Sequence, residues 1–354
     1  MKKRVAVLPG DGIGPEIIEQ SIKVLKAIEN RFGHQFELVY GDIGACAIDK
    51  HSDPYPELTH KICLESDAIL FGAIGDPKYD NDPKARIRPE QGLLKMRKEL
   101  GLYANIRPVQ IYKSLSHRSP LKEEKIEGVD LVVVRELTGG IYFGEKGRKN
   151  GGREAFDNCT YSDYEVERIA RLAFELAAKR KKRVTLVDKA NVLETSRLWR
   201  EVVTEVHKEY SDISLDYLFV DNAAMQLVTN PAKFDVILTE NMFGDILSDE
   251  ASVLSGSIGL LSSASFGEKS PLFEPIHGSY PQAAGKNIAN PIATILSLAM
   301  MFEYFNATDE AKIIREACAW IIEKGYLTED LSDKKISCST SETGDYIVNY
   351  ISLL

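Results

Sequence analysis

At 354 residues the chain is too long for one ordinary hydrophobic core, and its length predicts two domains. Hydrophobic residues make up 44% and charged residues 27%, a globular balance that excludes a disordered or fibrous polymer. The 53 acids exceed the 44 bases and give a formal charge of −9, which excludes affinity built on a basic nucleic-acid face while leaving room for a local cationic pocket.

Residues 1–4, Met1-Lys2-Lys3-Arg4, run straight into a strand-like segment at 5–8, without the apolar stretch of a secretory signal. Pro15 then stands at a first helical position, and Ile17, Ile18, Ile22, Leu25 and Ile28 recur at helical spacing. Strands are predicted at 68–71 and 131–134, and the glycine- and charge-rich stretch 144–152 predicts an exposed turn or arm. Val166, Ile169, Ala170, Ala173, Phe174 and Ala177 form a helical stripe. The basic run 179–183 follows it and reads as a complement to that helix's C-terminal dipole. Further strands are predicted at 184–187, 215–220 and 234–239, the last feeding a helix over about 242–254. The apolar run 292–302 is too short to span a bilayer. Five cysteines (Cys46, Cys63, Cys159, Cys318, Cys338) with no CxxC pair argue against a disulfide framework or zinc site, so a cytoplasmic location is expected. The whole reads as a layered α/β protein.

Five features carry chemistry. Gly10-Asp11-Gly12-Ile13-Gly14-Pro15 tempts as a dinucleotide fingerprint, but its third glycine comes one residue early and Asp11 adds negative charge. We read it as a tight structural turn. Arg97, Arg107 and Arg135 form a cationic series; Arg135 closes an apolar strand, where a charge needs an anionic partner, either a bound dicarboxylate or the protein's own acids. Asp245 and Asp249 lie four apart on one helix face, and Asp221 ends a strand. Such carboxylates suit Mg²⁺ or Mn²⁺, or else they simply face a helix dipole. Tyr142 and Lys189 are candidate proton carriers, a lysine at a buried strand end being open to a lowered pKa when desolvated or crowded by cations. The stretch from Glu274 through His277, Gly278 and Ser279 to Asn290 packs glycine, proline and polar groups between regular segments, as a loop that meets phosphates and an adenine does.

Taken in order along nearly the whole chain, Leu8 to Glu16, Leu102 to Pro108, Asn241 to Asp249 and His277-Gly278-Ser279 resemble the isocitrate/isopropylmalate (β-decarboxylating) dehydrogenases. The resemblance implies a two-domain α/β/α layered fold with a mixed sheet rather than a Rossmann fold. It implies a discontinuous cofactor domain, 1–102 plus 256–354, and an inserted small domain, 103–255, with an intersubunit β-arm at about 141–158. It further implies an NAD-dependent, metal-dependent oxidative decarboxylation by a homodimer, with Lys189 and Asp221 coming from the second subunit. Roles carry over residue by residue: Tyr142 and Lys189 catalytic; Arg97, Arg107, Arg135 and Asp221 on substrate; Asp221, Asp245 and Asp249 on Mg²⁺ or Mn²⁺; Glu274, His277, Gly278, Ser279, Gln282 and Asn290 on NAD.

Leu93, Leu94 and Val192, where relatives acting on isocitrate place polar groups, imply an apolar pocket for an isopropyl group, whose burial contributes roughly 1.5–3 kcal/mol. A D-malate or tartrate enzyme and a non-catalytic regulatory subunit are the alternatives. Gln282 departs from the family, which has an aspartate there to bond the adenosine ribose; the change removes a charge that repels a 2′-phosphate.

Overall fold

A computed structural model describes residues 1–80, 87–332 and 337–353. Its strands, in chain order, are β1 (Lys2–Gly10), β2 (Gln35–Tyr40), β3 (Ala68–Ala73), β4 (Leu102–Gln110), β5 (Asp130–Glu136), β6 (Lys146–Lys149), β7 (Glu154–Asp157), β8 (Arg183–Asp188), β9 (Ser214–Phe219), β10 (Val236–Thr239), β11 (Ser262–Gly267) and β12 (Leu272–Pro275). The chain divides into two compact units. The first comprises Met1–Leu102, Tyr112–Arg118 and Gly256–Leu354; the second comprises Tyr103–Ile111 and Ser119–Ser255. The short segment Tyr112–Arg118 therefore joins the first unit, where Arg118 Nε donates to the Leu331 carbonyl at 3.2 Å.

In the first unit the strand order is β2-β1-β3-β12-β11, parallel except for β11 against β12. Every residue of β3 is buried, which requires cover on both faces and explains why it reads as an unbroken apolar run. β2, at the edge, is only half-buried. The helix Gly14–Phe32 carries the expected stripe, with Ile17, Ile18, Ile22, Leu25 and Ile28 all buried. The apolar run near 292 is the helix Ile292–Tyr304, whose first eleven residues are buried, so it is a core helix. Among the described residues no helix is long and apolar enough to cross a membrane.

In the second unit the order is β4-β5-β10-β8-β9, with β4 antiparallel to β5 and the rest parallel. The helix Asp163–Ala178 starts at a capping box, Ser162 with Glu165, and buries its predicted stripe. The basic run directly follows this helix's C-terminus and also carries ion pairs. Arg180 bonds Asp235 and Asp130, each at 2.8 Å, and Lys182 pairs with Asp212 at 2.7 Å. Two boundaries also move. Asp221 does not end a strand but lies in the first turn of the helix Val220–Thr229, and the helix expected over 242–254 is Asn241–Ser252 followed by a 3₁₀ turn. The glycine- and charge-rich stretch forms a largely exposed two-stranded ribbon of β6 and β7.

Candidate active site

The register of the parallel strands assembles one site. Thr239 of β10 pairs with Arg135 of β5 on one side and Val187 of β8 on the other, and Asp188 of β8 pairs with Phe219 of β9. The carboxyl ends of four strands are thus level, and the residues that follow them emerge along one edge, where open α/β sheets bind ligands. Arg135, Lys189, Asp221 and the helix Asn241–Ser252 all start there.

Around Asp245 the charges form a network. Arg135, 2% exposed, bonds the Asp245 carboxylate through Nη1, while its Nε and Nη2 both reach Asn241 Oδ1 at 3.3 and 2.8 Å. Arg107 is fixed by Asn105 Oδ1 and Ser248 Oγ, both at 2.6 Å, and its Nη1 lies 3.4 Å from Asp249 and 3.8 Å from Asp245. Tyr142 donates its hydroxyl to Asp245 Oδ2 at 3.0 Å, with the Arg135 guanidinium beside its ring. Burial raises the Tyr142 pKa, and the Asp245 charge raises it further, so the phenol holds its proton at neutral pH. Burial also raises Asp249, against the pull of Arg107. Gly244 lets the helix come this close: a Cβ there would stand 2.5 Å from Arg135 Cγ.

Lys189 and Asp221 form a separate ion pair, and the bond from Lys189 holds the Asp221 carboxyl below its ordinary value. The lysine's close partner is therefore an anion rather than the cations considered from sequence. Among the described residues of one chain no three His, Cys, Asp or Glu side chains converge as a metal site. Asp245 and Asp249 are brought together through Arg107; Asp221 is not gathered with them. Val192 is 62% exposed.

The first unit holds the other residues. Arg97 Nη2 bonds Glu274 Oε1 at 3.1 Å, both side chains being buried, so two residues expected on different ligands form one ion pair. Leu93 and Leu94 are half-buried, and Leu93 leans on the core cluster of Tyr55, Met96 and Leu100. The glycine turn is structural. Asp11 accepts from the amides of Ala45, Cys46 and Gly75, and Ile13 N bonds the Ser279 carbonyl at 2.8 Å. Gly12, at φ +57°, leaves a Cβ no room against that same carbonyl. The turn thus braces the loop that carries His277, Gly278 and Ser279.

That loop borders a cavity of about 590 Å³ within the first unit, lined by His277, Gly278 and Asn290 from the expected cofactor set. Glu274, Ser279 and Gln282 do not line it. Ile13, Ile288 and Ala289 give it an apolar wall. His277 Nδ1 donates to the Gly278 carbonyl at 3.0 Å, which leaves Nε2 as the acceptor, and Nε2 is buried with no partner among the described residues. Burial lowers the His277 pKa and keeps the ring neutral. A flat heterocycle with an exocyclic amine fits an apolar wall beside an orphaned acceptor.

Sequence reasoning missed Asn241, although it stands four residues before Asp245 on the same helix. It also missed Ser257, Glu329 and Asp330 on the pocket wall, which come from distant segments with no local signal.

The sequence profile described as isocitrate/isopropylmalate dehydrogenase matches residues 4–347. The 3-isopropylmalate dehydrogenase of Bacteroides fragilis (strain YCH46) is 54% identical over 352 residues, covering 99% of each chain. The 3-isopropylmalate dehydrogenase of Thermotoga maritima is 57% identical over 348 residues, covering 97% of this chain and 98% of its own. Among solved structures, isocitrate dehydrogenase from Methylococcus capsulatus superposes with a TM-score of 0.88 at 36% identity, covering 99% of each chain. The chain belongs to the isocitrate/isopropylmalate dehydrogenase family.

Proposed function

We propose that the chain oxidises and decarboxylates (2R,3S)-3-isopropylmalate to 4-methyl-2-oxopentanoate and CO₂, reducing NAD, as a cytoplasmic homodimer in leucine biosynthesis. The observation that carries this reading is the near-full-length identity to relatives named for that activity. When bound, a divalent cation held by Asp245 and Asp249 would supply Lewis acidity, and a nicotinamide cofactor would supply the hydride acceptor.

The chain's own residues do the rest. Arg97, Arg107 and Arg135 hold the substrate carboxylates. Lys189 takes the C2 hydroxyl proton. After the C3 carboxylate leaves as CO₂, Tyr142, kept protonated, delivers its proton to C3. Leu93, Leu94 and Val192 receive the isopropyl group.

The hard-oxygen donors Asp245 and Asp249 suit Mg²⁺ or Mn²⁺. Asp221 completes the set from a second copy, which also supplies Lys189. Support for pairing comes from Met225 and Val228 on Val220–Thr229, and from Ile246 and Val253 on or just after Asn241–Ser252; these helices are neighbours and all four apolar side chains are exposed. The β6–β7 ribbon serves as the intersubunit arm. In the pocket, His277, Gly278 and Asn290 hold the adenosine, with Glu274, Ser279 and Gln282 along the remaining cofactor. Before ligands arrive, the arginines are paired with the very aspartates assigned to the metal. Substrate carboxylates would take over the arginines and a cation would take over Asp245 and Asp249, so that binding of either would favour the other.

The test is the absorbance change of nicotinamide reduction, with isopropylmalate, D-malate and tartrate in parallel. Turnover with isopropylmalate well above the other two supports the reading; a preference for D-malate or tartrate overturns the substrate, and no turnover with any of them overturns the activity.

A further inference from the structure

We propose that in this chain Glu329, rather than position 282, discriminates between the 2′-hydroxyl and a 2′-phosphate on the cofactor's adenosine. The inference rests on the reading of the first unit's cavity as the adenosine site. Among the described residues lining that cavity, the acids are Glu329 and Asp330, the other titratable side chains are His277 and Tyr280, and none is a lysine or arginine.

The two acids differ in what they already do. Asp330 is engaged on both oxygens: Oδ2 accepts from Ser257 Oγ at 2.7 Å and Asn290 Nδ2 at 3.1 Å, and Oδ1 accepts from Thr328 Oγ1 at 2.6 Å. It ties the walls of the cavity together. Glu329 has no hydrogen-bond or ion-pair partner among the described residues, is exposed, and lines the same cavity. Gln282 is exposed and neutral and does not line it.

An open carboxylate can accept from a ribose hydroxyl, and it repels a phosphate monoester that carries about two negative charges at neutral pH. Discrimination by repulsion needs only a negative charge in the right cavity, not a fixed sequence position. With His277 Nε2 and the apolar wall of Ile13, Ile288 and Ala289 receiving the base, the remaining charged wall faces the sugar. The loss of an acid at 282 is then offset by one contributed from about fifty residues further along the chain, a separation read directly from the numbering.

Binding rather than turnover tests this. ADP-ribose and 2′-phospho-ADP-ribose are titrated calorimetrically into the full chain and into Glu329→Gln and Glu329→Lys, both exposed substitutions, with Gln282→Ala as comparison. The wild-type chain is expected to prefer ADP-ribose. Glu329→Gln narrows that preference by roughly tenfold through tighter binding of the phosphorylated probe, and Glu329→Lys narrows it further. Gln282→Ala leaves it in place. An unchanged ratio in both Glu329 variants, with ADP-ribose still bound, overturns the role of Glu329 alone, as does a larger shift in Gln282→Ala. Failure of the wild-type chain to bind either probe overturns the adenosine reading beneath it.

Discussion

The cavity of the first unit and the charged cluster of the second await their ligands in opposite ways. The cavity has an apolar wall and an orphaned acceptor, His277 Nε2, so a neutral guest adds a hydrogen bond without breaking one. In the cluster Arg107 and Arg135 are already paired with Asp245 and Asp249, and Lys189 with Asp221. A buried guanidinium left alone is costly, and the protein's own acids neutralise it here. The lesson is that an apolar wall can leave one polar atom unpaired, whereas a buried cluster of charges must neutralise itself.

The sharpest way to break this contrast is Lys189→Ala. Turnover is expected to fall by roughly 10²- to 10⁴-fold while ADP-ribose affinity stays the same, because the variant removes the proposed proton carrier of the second unit and nothing in the cavity. Wild-type rates would take Lys189 out of the mechanism. Chelation comes next. EDTA should abolish turnover and weaken isopropylmalate binding by at least about tenfold, restored by Mn²⁺, while calorimetry shows ADP-ribose binding untouched. Equal substrate affinity with and without the ion would refute the exchange of partners.

Gly244→Ala probes the cluster's packing. Its methyl group meets the Arg135 side chain, and a loss of about 1–3 kcal/mol is expected in urea unfolding, since the arginine is buried and tied to Asn241. Unchanged stability would mean that Arg135 yields freely. His277→Leu should weaken ADP-ribose by roughly tenfold or less, with kcat at saturating NAD nearly unaffected.

The smallest effect is on pH. His277 lies below its ordinary value of 6.5, so Nε2 stays an acceptor through the neutral range. ADP-ribose affinity should be flat above pH 6.5 and fall only as the pH drops through the lowered value, where protonation turns the acceptor into a donor. A fall beginning above pH 6.5 would assign that titration to another group.

Much of this was legible in the letters. Strands buried on both faces announced themselves as apolar runs at 5–8, 68–71 and 131–134, and the stripe from Val166 to Ala177 marked its helix, because burial on one helix face imposes a period that a linear pattern records. The reading of the Gly10–Gly14 segment as a tight structural turn was also available, from its glycine spacing. The ion-pair partners of the basic run at 179–183 were not legible, since the acids that bind Arg180 and Lys182 come from other segments.

What the sequence by itself determined, then, is the order of strands and helices and the chemical kind of each candidate side chain, both of which follow from local periodicity and residue type. Tertiary structure alone decided who partners whom: Arg97 with Glu274, Lys189 with Asp221, Asn241 beneath Arg135, and Glu329 on a wall with His277. Those pairings depend on strand register and on close approach between segments far apart in the chain, and no short stretch of residues encodes a distance in space.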